Sequence, residues 1–189
     1  MSLIPHASPR RLLAVTLPLA IAMLPAGAAT PRQKARAPAP IKTDNAIIPL
    51  PLNPVVPAGQ RLCSTTTTTG VGSTTLRPGT GAKPAASDVA LVNYIGYLAA
   101  TGAVFDQGMR SPLPVNAVIA GFSQGLQTMA RGGVTRFCIP AALGYGAQAS
   151  GPIPANSDLV FQVELLDFKT AAEVESMNAA ASKDAPPTP

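Results

Sequence analysis

Asp88-Val89-Ala90-Leu91-Val92-Asn93-Tyr94-Ile95-Gly96-Tyr97-Leu98 is dense in β-branched and aromatic side chains and free of proline, so it reads as a strand. Thr101-Gly102 then separates it from Val104-Phe105, which makes the pair a hairpin. Downstream, Arg131-Gly132-Gly133 reads as a turn, and Val134–Ile139 as a strand stopped by Pro140. Leu159-Val160-Phe161-Gln162-Val163-Glu164-Leu165-Leu166 alternates more cleanly and is a further strand. Between them, Ile119, Phe122, Leu126 and Met129 recur at spacings of three, four and three, one face of a short helix that ends before Gly132. The β-prone run Thr65–Thr69 is expected to lengthen the first strand. Several strands around one short helix predict an α+β fold built on an antiparallel sheet.

Outward from this centre the composition changes. The chain has 189 residues, 47% hydrophobic but only 4% aromatic, with 21 prolines and no tryptophan, which suits one ordinary domain with tails and excludes a multidomain enzyme. In residues 31–59 prolines recur from Pro31 to Pro57 and leave no helical or strand period, so 29–60 is expected to be an extended, polyproline-like linker. The domain is expected over 61–170. Residues 171–189, rich in alanine and ending Pro-Pro-Thr-Pro, read as a frayed helix passing into a disordered tail.

At the N-terminus, Arg10-Arg11 precedes an apolar run from Leu12 to about Ala26 and the small residues Ala26-Gly27-Ala28. That order predicts a secretory signal peptide over 1–28, with export to a periplasmic, oxidising space. Pro18 and Pro25 interrupt a run already shorter than the roughly 20 residues a spanning helix needs, so no stable membrane insertion is expected after processing. In an exported protein the two cysteines, Cys63 and Cys138, favour a disulfide, two buried thiols being the alternative.

The formal charge of +5 overstates the basic character. Much of it lies before Arg61, and no clustered basic face with interleaved aromatics follows, so nucleic acid is not an expected partner. The single histidine, His6, falls in the leader, which removes Ser–His–Asp catalysis and histidine metal sites from the mature chain. Gly121-Phe122-Ser123-Gln124-Gly125 does match the G-x-S-x-G nucleophile elbow. No histidine follows it to take the serine proton, however, and the chain has no room for the parallel βαβ repeats that carry such a site. A hydrolase is rejected.

Six segments carry the function: Pro78-Gly79-Thr80-Gly81, Val92–Gly96, Gly102-Ala103-Val104-Phe105-Asp106, Val118–Leu126, Tyr145-Gly146 and Ile153–Leu165. In this order and spacing the chain resembles the FKBP-type peptidyl-prolyl cis–trans isomerases, and most closely the exported bacterial members, over about residues 70–168. The resemblance implies a half-wrapped antiparallel sheet of five to six strands around one short α-helix, with an apolar pocket between them that takes a prolyl ring. Carried over by position, Tyr94, Asp106, Tyr145 and Phe161 are the expected catalytic residues, and Phe105, Leu113, Val118, Ile119, Phe122 and Ile153 the expected substrate-binding ones. Phe122 stands where the family usually has tryptophan, Leu113 where an aromatic wall residue is common, and Ser150 or Gly151 where histidine is frequent. No arginine aligns with the family's partner for the aspartate, which leaves Arg110 as the nearby candidate for Asp106.

The implied activity is acceleration of X–Pro isomerisation during the folding of exported proteins. Rotation breaks no bond and moves no proton, so neither a cofactor nor a metal is expected. Proline-containing polypeptides are the expected partners, with macrolide inhibitors competing for the pocket, and the proline-rich linker predicts a monomer. The alternative is a chaperone or binding module that keeps the fold with weak or no catalysis, to which Phe122 and Leu113 point.

Overall fold

A computed structural model describes residues 39–50 and 55–183. Six antiparallel strands form one sheet: β1 (Thr65–Thr66), β2 (Gly72–Arg77), β3 (Val89–Leu98), β4 (Val104–Pro114), β5 (Val134–Ile139) and β6 (Leu159–Lys169). Their order across the sheet is β1-β2-β5-β6-β3-β4. The helix α1 (Ala120–Leu126) lies between β4 and β5 in sequence, and α2 (Ala171–Lys183) follows β6. The expected α+β architecture is the one observed.

Alternation along the strands sends side chains to two layers. On the helix-bearing face, Val92, Phe137, Ile139, Phe161, Val163 and Leu165 bury against Phe122 and Leu126 of α1. On the opposite face a smaller cluster joins Ile95, Tyr97 and Val160. Helix α1 rides close to the sheet because its glycines permit it: a Cβ at Gly121 would lie 2.4 Å from Ile139, and one at Gly125 2.9 Å from Phe137. Those are the two glycines of the rejected elbow pattern. Ser123 itself sits within the helix, with its hydroxyl accepting from Gln127 Nε2 at 3.3 Å, not on a strand-to-helix turn.

Three elements differ from the sequence reading. The Thr65–Thr69 run does not lengthen a neighbouring strand; Thr65 and Thr66 form their own edge strand, folded back on Ser73 and Gly72. The helix is shorter than its apolar pattern, since Ile119 is its N-cap and Met129 lies beyond its end, although Met129 remains buried. After β6, Thr170 and Glu173 form a reciprocal cap: the Glu173 carboxylate accepts from the Thr170 backbone N–H at 2.8 Å, and Thr170 Oγ1 accepts from the Glu173 N–H at 3.2 Å. That T-x-x-E signal starts a regular 13-residue helix where fraying was expected.

The segment read as a spacer also packs in part. Ile48 is buried against Ile95, Tyr97 and Val160. Its N–H donates to Gln162 Oε1 at 2.8 Å, and its carbonyl accepts from Gln162 Nε2 at 2.9 Å. Arg136, fully buried, donates to the carbonyls of Asp44 at 2.7 Å and Leu62 at 3.1 Å. Side chains of the sheet thus supply the main-chain partners that the prolines deny the segment within itself. A disulfide joins Cys63, just before β1, to Cys138 of β5, closing 75 residues with a Cα–Cα distance of 6.1 Å. The expected leader, His6 included, lies outside the described residues. No described helix is long and apolar enough to cross a membrane.

Candidate active site

The register of β3 builds the site. Gly96 pairs with Phe161 on β6 and with Asp106 on β4, while Tyr94 pairs with Val163 and Gly108. A Cβ at Gly96 would meet the rings of Phe161 at 2.6 Å and Phe105 at 2.8 Å, so glycine there lets both aromatics close over the backbone. Phe122 of α1 completes the set. The rings meet edge to face, with Phe122 and Phe161 centroids 4.9 Å apart, Phe105 and Phe161 5.5 Å, and Tyr94 and Phe122 6.2 Å.

These aromatics enclose a cavity of about 320 Å³. The structure brings Tyr94, Phe105, Asp106, Leu113, Val118, Ile119, Phe122, Tyr145 and Phe161 together on its walls. Phe122 and Phe161 are buried and form the floor, whereas Tyr145 is 41% exposed and stands at the rim. Ile153 does not join them: at 4% exposure it packs in the core on the helix side of the sheet. Its apolar character fits core and wall equally, so sequence alone could not separate the two. Ala117 lines the cavity instead, in the 3-10 turn Val115–Ala117 that leads into α1. A methyl group carries no signal of its own; only its place just before Val118 and Ile119 could have marked it.

The polar groups are few. Asp106 Oδ2 accepts from the Tyr94 hydroxyl at 2.8 Å. Burial first, and then that carboxylate, push the Tyr94 hydroxyl up to about 12, so it stays a donor at neutral pH. Arg110 is not the partner of Asp106. It occupies a left-handed turn at φ 50°, its N–H donates to Asn93 Oδ1 at 2.8 Å, and Asn93 Nδ2 donates to Glu164 Oε2 at 2.8 Å. Among the described residues no basic side chain pairs with Asp106. The Tyr145 hydroxyl and the N–H of Ile119, where α1 begins, make no hydrogen bond to any described residue. Both therefore remain donors for a molecule in the cavity. No group of three or more metal-ligating side chains occurs among the described residues.

Comparison with known proteins identifies the family. Residues 80–166 match the model of the family FKBP-type peptidyl-prolyl cis-trans isomerase. FKBP-type peptidyl-prolyl cis-trans isomerase FkpA of Aeromonas hydrophila is 44% identical over 98 residues, covering 50% of this chain and 36% of that protein. FK506-binding protein 2 of Kluyveromyces lactis is 35% identical over 97 residues, 48% of this chain and 69% of its own length. The crystal structure of a peptidyl-prolyl cis-trans isomerase from Pseudomonas syringae pv. tomato superposes with a TM-score of 0.52 at 36% identity, over 56% of this chain and 80% of that one. The chain spans about a third of the length of the Aeromonas relative. With these matches and the six-stranded sheet, the chain belongs to the FKBP-type peptidyl-prolyl cis–trans isomerases.

Proposed function

We propose that the protein accelerates cis–trans isomerisation of X–Pro bonds in exported polypeptides. The observation that carries this reading is the aromatic cavity of about 320 Å³ whose rim holds two uncommitted hydrogen-bond donors and no nucleophile activated by a base. An X–Pro bond must lose amide conjugation to rotate, at a barrier of about 18–20 kcal/mol, and no atom is transferred. Water stabilises the planar, charge-separated amide more than the twisted one. Seating the prolyl ring on Phe122 and Phe161, between Phe105 and Val118, removes that water and so raises the ground state more than the transition state. The Ile119 N–H and the Tyr145 hydroxyl hold the flanking carbonyls, which fixes the substrate on either side of the rotating bond. Asp106, anchored by Tyr94, faces the twisted amide with a fixed negative charge. Together these effects need supply only about 5 kcal/mol for a rate gain of roughly 10³–10⁴.

Export is supported by the apolar leader of residues 1–28 and by the disulfide, which suits an oxidising compartment such as the periplasm. Slow prolyl isomerisation limits the folding of many chains, and an exported isomerase would act there. In this reading the working unit is the domain expected over residues 61–170 together with the segment packed on it through Asp44 and Ile48, acting as a monomer on unfolded polypeptides, with the pocket open to macrolide inhibitors. A protease-coupled assay on an X–Pro peptide tests it. The wild type accelerates isomerisation and Tyr145→Phe and Asp106→Ala reduce it while remaining folded; a folded wild type with no effect on the rate would instead favour the binding module that the smaller Phe122 floor suggests.

A further inference from the structure

The β3–β4 pair falls out of step beside the pocket. Val92 pairs with Ser111 and Tyr94 with Gly108, so the one residue between them on β3, Asn93, stands opposite two on β4, Met109 and Arg110. This is a β-bulge, and it reverses the side-chain alternation beyond it. Leu113 and Asp106 are seven residues apart and would face opposite sides of an unbroken strand, yet both line the cavity because the bulge lies between them. Both ends of β4 are fixed, by the Leu98 N–H on the Ala103 carbonyl at 2.9 Å and the Val115 N–H on the Asp88 carbonyl at 2.9 Å, so the surplus residue has to be taken up within the strand. Its position decides what faces Tyr94. With the bulge at Arg110 it is Gly108; moved one step toward Asp106 it would be Met109, where even a Cβ would lie 2.6 Å from Tyr94 Cε1. Met109 instead stands 63% exposed, beside Asn93 and Glu164 on the face turned away from α1.

We propose that Asn93 is a positioning residue that pins this bulge and so holds the Tyr94–Asp106 pair in the pocket from the opposite face of the sheet. Arg110 takes φ 50°, which a side chain disfavours, and the bond from its N–H to Asn93 Oδ1 at 2.8 Å offsets that cost. The amide is itself oriented. Its register partner on β6, Glu164, accepts from Asn93 Nδ2 at 2.8 Å, and Arg77 of β2 pairs with the other carboxylate oxygen. A carboxylate only accepts, so the amide turns its NH2 to Glu164 and its oxygen to Arg110. An aspartate or a leucine at this position could not do both. A row of polar side chains thus runs across the sheet from β2 to β4, and its last bond fixes which residue of β4 lies against Tyr94. The catalytic consequence rests on the isomerase reading; the placement of Tyr94 does not.

Asn93→Ala in the full chain tests this, by NMR and by X–Pro isomerisation. The wild type should show an NOE between the Tyr94 ring and the Gly108 Hα. In the variant it should give way to one from the Met109 methyl, with kcat/KM down about ten- to hundredfold, chiefly in kcat, as for one lost hydrogen bond to a charged acceptor. That loss should not add to the loss from Tyr94→Phe. Two rescues separate positioning from general loosening. Arg110→Gly, free to take the left-handed turn unaided, should restore the Gly108 NOE and most of the rate to Asn93→Ala. Asn93→Asp should lose activity through repulsion from Glu164 and regain it with Glu164→Gln, which rebuilds the amide–acid pair in reverse; this arm stands even if Asn93→Ala does not fold. The proposal is overturned if Asn93→Ala keeps the Gly108 NOE and the full rate, or if either rescue, in folded protein, fails to bring Tyr94 back to Gly108. A wild type that shows the NOE but no isomerisation would overturn the isomerase reading, while the NOE in the variants still decides the role of Asn93.

Discussion

The hydroxyl of Tyr94 and the carboxylate of Asp106 meet at 2.8 Å across the β3–β4 pair, although the two residues are not register partners. Tyr94 stands opposite Gly108, and Asp106 opposite Gly96. Glycine opposite Tyr94 leaves the space for the aromatic ring to lean along the sheet and reach the acid, whereas the space over Gly96 is taken by the rings of Phe161 and Phe105.

Gly108 is therefore expected to matter through Tyr94. A Cβ there would lie 2.6 Å from Tyr94 Cε1 and 2.4 Å from Ser111 Oγ, too close for either to stay in place. Gly108→Ala should lower kcat/KM by about as much as Tyr94→Phe, roughly ten- to hundredfold for one lost hydrogen bond to a charged acceptor. Added to Tyr94→Phe it should cost little more. A double-mutant cycle measures this, and full additivity would show that Gly108 acts by another route.

Alkali should loosen the fold in a defined window. Tyr94 and Tyr97 both hold their protons up to about 12, chiefly through burial, against an ordinary value of 10.0. A group that binds its proton more tightly when folded contributes stability fully below the unfolded value and loses it as pH rises through the folded one. Unfolding free energy should thus fall between about pH 10 and 12, and Tyr94→Phe should shallow the fall. Urea titrations at stepped pH, with phenolate absorbance as the second readout, check both statements.

The disulfide should contribute about 2–4 kcal/mol, given the 75 residues it closes. Equilibrium unfolding of oxidised protein against a Cys63→Ser, Cys138→Ser variant measures the difference.

Removing the segment up to Leu50 should destabilise the domain by roughly 2–4 kcal/mol, because it strips Ile48 from Gln162 and Asp44 from a guanidinium that is fully buried. Gln162→Leu in the shortened chain should recover part of that loss. Denaturant midpoints of the three chains decide it.

How much of this was legible in the sequence follows from where the information lies. The strands around Val89–Leu98 and Leu159–Lys169 announce themselves by composition and alternation, and nine cavity residues follow from the family resemblance, eight of them within its ordered segments and Leu113 outside them. Ile153 went to the core because apolar side chains look alike whichever wall they face. Arg110, the nearby candidate for Asp106, is held away because a left-handed turn in β4 ties its backbone to Asn93, and Tyr94 reaches the acid instead. Proline spacing correctly marks the N-terminal segment as irregular, but cannot reveal that Gln162 and Arg136, distant in sequence, supply its hydrogen bonds.

The central claim is that the Phe122–Phe161 pocket turns X–Pro bonds over. Two-dimensional NMR exchange on an Ala-Leu-Pro-Phe peptide, with the chain present at about one-hundredth of the peptide concentration, reads the cis–trans rate with no coupled protease. Exchange cross-peaks are expected to grow with added protein, weaken with Tyr145→Phe and vanish with Phe161→Ala in a folded domain. Peptide resonances that broaden on binding while the exchange rate stays at its uncatalysed value would contradict it.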